Sequence, residues 1–263
     1  MHMLSGTGIR PNDLKKVAFG YLFLLHWEYE SGVMIVYKHL IFDLDDTLLD
    51  FRKGEEVGLL NVFRDHEVPD VRQAFDKYQQ INRGLWSAYE RGEISKDQIH
   101  NTRFATLFDQ FGRDVDGVAL EKEYRGYLNE NYYVLDGAEA LLQQLTKQGY
   151  KLIVGTNGEQ HTQEQRMAHT GFMKYFDDMV TSDEIGHAKP ATEFFDAIFN
   201  KQPAMTRSNT IMIGDGLESD IQGGNRYHLD TLWVNLHQVA NNTPYQATYE
   251  VNQLDTIPDI VRR

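Results

Sequence analysis

The sequence predicts an α/β protein, a doubly wound parallel sheet core that carries an inserted α-helical module. Three observations lead there. Short β-branched runs alternate with helical stretches over the second half of the chain. Those runs are near-continuously hydrophobic, as in parallel strands buried on both faces. The gap between the first run and the second spans residues 44–150, far more than a crossover needs.

The elements follow in order. Residues 1–33 carry Lys15-Lys16, an apolar run from Val17 to Trp27, and then Glu28-Tyr29-Glu30. The run is about 11 residues long, short of the roughly 20 that span a bilayer. It resembles a signal-peptide core but lacks a small-residue cleavage site after it. We read 1–33 as an extraneous leader or misassigned start, against two alternatives, a signal or surface anchor and a docked extra helix. From Met34 a strand pattern begins. Tyr37–Asp43, Lys151–Thr156, Met179–Ser182, Thr210–Gly214 and Thr231–Asn235 are the five predicted strands. Helical stretches at Gly137–Gln148, Glu159–Thr170 and Thr192–Asn200 supply the βαβ rhythm. Within the long gap, Glu55–His66, Val71–Arg91, Lys96–Phe111 and Leu120–Tyr132 place apolar residues three and four apart. Turn signals at Pro69, Gly92 and Gly112 separate them. The predicted organisation is therefore a core of 34–51 and 133–263 interrupted by a helical module of 52–132. The tail reads as a short strand, Ala247–Val251, and a closing helix, Leu254–Val261.

Composition narrows the function. Apolar residues make up 41% of 263, enough for a sizeable core. Acids outnumber bases by 39 to 26, a net charge of −13. That excess lacks the basic stripe a nucleic-acid polymer demands, and no stretch predicts a membrane span. Cysteine is absent, which excludes disulfides, thiolate catalysis and thiolate-bound metals. A small phosphate ester stays compatible with the acidity when a cation sits between it and the carboxylates.

Ligands of open α/β sheets bind beyond the carboxyl ends of the strands, so the residues there matter most. Asp43-Leu44-Asp45-Asp46-Thr47 follow the first strand, Thr156-Asn157-Gly158 end and follow the second, and Gly214-Asp215-Gly216 with Asp220 end and follow the fourth. Lys189-Pro190 is expected to begin the helix after strand three. Clustered carboxylates repel one another and raise each other's pKa values unless a cation joins them. Hard oxygen ligands of this kind select Mg²⁺. Asp43 then has the chemistry of a nucleophile that forms an aspartyl-phosphate. Asp45, two residues on, suits proton transfer to the leaving oxygen and from the attacking water. Thr156 and Asn157 offer hydroxyl, amide and backbone donors to phosphoryl oxygens. Lys189 offers the positive charge, and Asp215 completes a metal site with Asp220 behind it. Each element alone is commonly a turn or a cap; their joint occurrence at successive strand ends is what carries the reading.

These stretches resemble the four motifs of the haloacid dehalogenase superfamily: Asp43-x-Asp45-x-Thr47, Thr156, Lys189, and Gly214-Asp215 with Asp220. The resemblance covers about residues 34–263. It implies a Rossmann-like core with the helical insertion as a cap. It also implies Mg²⁺ held by Asp43, Asp215 and the backbone carbonyl of Asp45, with an acid at 45 marking phosphoryl transfer rather than carbon–halogen cleavage. Ile81–Gly92, Arg103-Phe104, Glu184–Pro190 and Leu232–Asn235 are similar to the bacterial pyrimidine 5′-nucleotidase subfamily. Gly216 departs from the hydroxyl residue usual there, and Tyr227-His228 from the usual small residues.

The expected protein is a soluble, cytoplasmic, Mg²⁺-dependent phosphomonoesterase acting through an aspartyl-phosphate. Its expected substrate is a nucleoside 5′-monophosphate, pyrimidine preferred; no nucleic-acid polymer and no membrane is expected as partner. Monomer and homodimer stay open. The alternatives are a sugar-phosphate phosphatase or phosphomutase of the same core, and a phospho-accepting regulator. On the cap, Trp86 and Tyr89 share helical spacing with Asn82; they either pack the cap interior or stack on a nucleobase over the site. His39 reads as a buried, hydrogen-bonded strand residue. Met167, Met173 and Met179 read as core fillers, and Asp177-Asp178 and Asp183-Glu184 as solvated charge. Asp46 reads as a turn residue whose backbone N–H faces phosphate. Acids beyond Asp43, Asp45, Asp215 and Asp220 are expected mostly on the surface.

Overall fold

In a computed structural model, which describes residues 37–130 and 132–262, six strands form one sheet. They are β1 (His39–Phe42), β2 (Lys151–Thr156), β3 (Asp178–Thr181), β4 (Thr210–Gly214), β5 (Asp230–Val234) and β6 (Tyr249–Val251). The order is β3-β2-β1-β4-β5-β6, and every neighbouring pair is parallel. β1 lies between β2 and β4, with Phe42 level with Val154 and Ile213. The chain runs outward in opposite directions from β1, so a crevice opens at the carboxyl ends of β1, β2 and β4. The reading of 1–33 as a leader lies outside the described residues.

Alternation along β1 feeds two cores. Leu40 and Phe42 pack on one face with Leu141, Leu145 and Val261. Ile41 points to the other face, against Phe194, Phe195 and Ile198. Each such side chain removed from water contributes about 1.5–3 kcal/mol. His39 is buried beside Asn209, with Nδ1 3.3 Å from Oδ1. Tyr227 is buried too, stacked on Phe195 at 5.3 Å, with its hydroxyl donating to Asp196.

Among the described residues five helices stand between β1 and β2, and the first four pack together: α1 (Phe51–Asp65), α2 (Val71–Glu90), α3 (Lys96–Asp109) and α4 (Gly117–Asn129). Each starts on a side-chain cap, supplied by Asp50, Asp70, Ser95 and Asp116, which satisfies otherwise orphaned N–H groups. They share an interior built on Leu59, Phe63, Tyr78, Phe104 and Tyr124. A polar network runs through that interior. Arg103 donates to both oxygens of Glu121 at 2.6 Å and to Asn82 Oδ1 at 3.0 Å, and Asn82 Nδ2 donates to Glu55 at 3.1 Å. Glu55 and Glu121 are thus buried, two exceptions among the acids expected mostly on the surface. Their burial is compensated by Arg103 and by amide donors from Gln79 and Asn82. The two segments joining these helices to the sheet run side by side: Leu49 bridges Val134, Asp50 N–H donates to Tyr133, and Leu135 N–H donates to Leu48.

Beyond them come α5 (Ala138–Lys147) and α6 (Gln160–Thr170), with β2 between. A one-turn helix, α7 (Ser182–Ile185), follows β3, and α8 (Thr192–Lys201) comes later. Lys189-Pro190 therefore does not begin a helix. Gly186, at φ 72°, ends α7, and the backbone of Lys189 is held outside α8 by the Asn157 side chain. A π-helical turn, Leu217–Ile221, runs into α9 (Gln222–Arg226). The tail is a three-residue 3₁₀ turn, Leu254–Thr256, followed by α10 (Ile257–Val261). Met167 fills the core, but Met173 is 43% exposed.

Candidate active site

Each predicted strand end delivers its residues to the crevice. Asp43 sits one residue beyond β1, its N–H donating to Ile213 at 2.9 Å. Lys189 reaches in from the loop between α7 and α8. Its ammonium donates to Asp43 Oδ1, Asp220 Oδ1 and the Gly155 carbonyl, each at 2.7 Å. Lys189 is 1% exposed; three acceptors around a buried ammonium match its three protons. Burial alone would lower the lysine pKa, but Asp220 and Asp43 outweigh it and raise it. Burial pushes the Asp43 carboxyl up; Lys189 pulls it back, Asp220 and Asp45 add to the rise, and it stands at about 7. Asp215 is raised well above the carboxylate range, by burial first and then by Asp43 and Asp220.

Asp43, Asp215 and Asp220 each offer a carboxylate oxygen within 4.8 Å of the others. Three hard anionic oxygens at that spacing fit Mg²⁺ in donor type. Asp220 uses its other oxygen to accept from Gly216 N–H at 2.9 Å. Gly214 is required here, because a Cβ would run into the Asp220 carboxylate. Gly216 thus contributes a backbone donor. Thr47 accepts from Asp215 N–H at 3.0 Å, and the Trp233 indole donates to the Asp215 carbonyl at 2.9 Å. Together they clamp Asp215 from both sides of its peptide.

Asp45 faces elsewhere. Its Oδ2 accepts from Gln163 Nε2 at 2.6 Å, and its Oδ1 pairs with Arg166. Its carboxylate is thus outside the three-acid cluster. Thr156 Oγ1 accepts from Gly158 N–H and Gln163 Nε2 at 3.0 and 3.2 Å. Asn157 spends its amide on the Lys189 backbone, donating at 2.9 Å and accepting at 2.8 Å, so its side chain positions the lysine. Asp46 adopts φ 58° and accepts from Arg52, as a turn residue should. Its N–H donates to Leu49 at 2.8 Å and so does not face phosphate.

A cavity of about 400 Å³ covers these groups, within the usual range for small ligands. Asp43, Asp45, Lys189 and Thr156 form its floor, and Asn82, Trp86, Glu90 and Arg103 part of its wall. A second cavity of about 480 Å³ opens beside Asp215, with Trp86 on its wall as well. Trp86 and Tyr89 meet edge to face at 5.7 Å and lie outside the buried cluster of the four helices. Asn82 is the exception among the three, buried between Glu55 and Arg103. Asp183 is exposed, as expected, but it is also paired. It pairs with Lys96 of α3, which also donates to Ser182 Oγ at 3.0 Å and the Gly158 carbonyl at 3.3 Å. Asp177 likewise accepts from Leu152 N–H at 3.2 Å.

Sequence reasoning passed over Gln163, Arg166 and Glu90. The first two stand three residues apart on the helix after the Thr156 loop, a spacing that puts them on one face. Glu90, on the last turn of α2, is pushed up to about 8 by burial, then by Asp220 and Glu218.

A family model for haloacid dehalogenase-like hydrolases matches residues 37–228. The chain belongs to that family and is a hydrolase. It is 39% identical over 223 residues to the pyrimidine 5′-nucleotidase PynA of Streptococcus pneumoniae, covering 85% of this chain and 94% of that one. It is 32% identical over 222 residues to the pyrimidine 5′-nucleotidase YjjG of Escherichia coli, covering 84% and 96%. A crystal structure of the HAD-hydrolase YfnB from Bacillus subtilis, bound to magnesium, matches with TM-score 0.81 and 37% identity, covering 86% and 99%. Among the described residues, no helix is long and apolar enough to cross a membrane.

Proposed function

We propose that the chain is a Mg²⁺-dependent phosphomonoesterase whose substrates are nucleoside 5′-monophosphates, pyrimidine preferred. The observation that carries this reading is a pair of carboxylates on one cavity floor in different settings, Asp43 on Lys189 and Asp45 on Arg166 and Gln163. A carbon–halogen cleavage needs the first alone; phosphate transfer to and from an aspartate uses both. The nucleotide preference is supported by the likeness to PynA and YjjG and by Trp86, whose indole faces both cavities.

Asp43 attacks phosphorus, forming a carboxylate O–P bond as the bond to the leaving oxygen breaks. Asp45 gives its proton to that leaving oxygen. Water then attacks the aspartyl-phosphate, Asp45 takes the water's proton, and Asp43 is released with inorganic phosphate. Lys189, Thr156 and the backbone after β2 meet the phosphoryl oxygens as charge spreads over them. Asp43, Asp215 and the Asp45 backbone carbonyl, with Asp220 behind them, would hold Mg²⁺, which would supply the cation that lets an anionic ester approach these acids. The four-helix module acts as a cap: it walls the cavity and keeps bulk water from the intermediate.

The test is phosphate release from a panel of nucleotides and sugar phosphates with Mg²⁺, for the wild type and for Asp43→Asn. Pyrimidine nucleotides should lead the panel, and Asp43→Asn should release nothing. Turnover retained in Asp43→Asn, or release from sugar phosphates alone, overturns the proposal.

A further inference from the structure

We propose that Arg166, with Gln163, is the positioning residue of the reaction. It fixes the Asp45 carboxylate for proton transfer and links that setting to Phe51, the first residue of α1. This rests on the phosphomonoesterase reading. The two side chains stand one turn apart on α6. Arg166 Nη1 donates to Asp45 Oδ1 and, at 3.1 Å, to Gln163 Oε1. Gln163 Nε2 donates to Asp45 Oδ2 at 2.6 Å and to Thr156 Oγ1 at 3.2 Å. Each carboxylate oxygen thus meets its own donor, and the donors are bonded to each other. Turning Asp45 away breaks both contacts and leaves a guanidinium that is 3% exposed without its anion, which is costly in a buried setting. Among the described residues, Asp45 is the acid with which Arg166 pairs. Nothing in the proposed reaction otherwise uses Arg166.

The same guanidinium lies 5.6 Å from the centre of the Phe51 ring, inside cation–π range. Phe51 opens α1, so the cation touches the acid on one side and the root of the cap on the other. Gly158 makes room for the arrangement, since a Cβ there would occupy the Gln163 side chain.

Proton transfer needs Asp45 within hydrogen-bond reach of the leaving oxygen, and a misplacement of about 1 Å costs on the order of 100-fold. That cost depends on the leaving group. A nucleoside 5′-oxygen must be protonated as it departs, whereas p-nitrophenolate leaves unaided. A residue that merely held the fold, or bound the phosphoryl group, would affect both esters alike.

The experiment compares kcat/KM for uridine 5′-monophosphate and p-nitrophenyl phosphate at fixed Mg²⁺. The proteins are the wild type, Arg166→Met, Arg166→Lys and Phe51→Leu. Arg166→Met should lower the nucleotide value roughly 10- to 100-fold and the aryl ester by no more than about threefold. Arg166→Lys, which keeps a cation beside Asp45, should recover part of the nucleotide value, and Phe51→Leu should lower it by a smaller factor. If Arg166→Met does not fold, the last two variants carry the same comparison. Equal losses on both esters, or an unchanged nucleotide value, overturn the inference alone. A wild type that cleaves neither ester overturns the phosphomonoesterase reading and the inference with it.

Discussion

Replacing Lys189 by methionine is expected to cost the fold about 3–5 kcal/mol at pH 8 without metal. Methionine fills most of the lysine stem's volume, so the cavity contribution is small. What disappears is the ammonium 2.7 Å from Asp43, Asp220 and the Gly155 carbonyl. Two buried carboxylates then face each other without a cation. With the lysine in place the Asp43 carboxyl already stands at about 7, and without it that value climbs further. A folded-state pKa raised above the unfolded one means the folded chain binds the extra proton between them. Across that window, from about pH 4 upward, stability falls as pH rises, more steeply in the variant. The deficit should therefore shrink at pH 5, where a proton replaces the missing ammonium. Thermal unfolding in chelator reads this directly. At about 2–4 °C per kcal/mol the midpoint should drop by about 6–20 °C at pH 8. A drop under about 2 °C, or an equal drop at both pH values, refutes the reasoning.

Four further outcomes are expected. Mg²⁺ at a hundred times its dissociation constant should stabilise the wild type by about 2.7 kcal/mol at pH 8. Asp215→Asn should abolish that gain without loss of metal-free stability, because burial already disfavours its charge; titration calorimetry and unfolding with and without Mg²⁺ check both. Arg103→Met should cost about 3–5 kcal/mol and expose the helical module to limited proteolysis, since it strands Glu121 and Asn82. His100 is held down to about 3 by burial, then by Arg103 and Arg125. The unfolded chain gains a proton there that the folded chain refuses, so stability falls as pH drops below about 6.5. His100→Gln should remove about 1–2 kcal/mol of that loss between pH 6.5 and 4 in urea titrations, after allowing for the ring's partial exposure.

What was legible in the sequence was whatever one local pattern determines. The β2 and β4 runs, KLIVGT and TIMIG, are buried strands with polar residues only at their ends, and their observed ends match residue for residue. Asp43, Asp215 and Asp220 were legible because strand ends in a parallel sheet converge whatever the loops do. The Lys189 loop was misjudged because Pro190 resembles a helix start. Its true restraint is the Asn157 amide, 32 residues away in sequence. Glu55, Glu121 and Arg103 were hidden for the same reason: a helical pattern shows which face is apolar, not which charge on it has a partner on the next helix. Gln163 and Arg166 have no acid partner near them in sequence, and only the third dimension brings Asp45 to them.

The paired strap at Leu48–Asp50 and Tyr133–Leu135 makes the helical module exchangeable. Its two ends leave the sheet side by side, joined by the Asp50–Tyr133 and Leu135–Leu48 hydrogen bonds. A graft between residues 50 and 133 therefore has to satisfy one anchor of fixed spacing rather than two independent ones. Chimeras that carry a relative's module on this sheet should keep the Asp43–Lys189–Asp220 triangle and change only what is held above it.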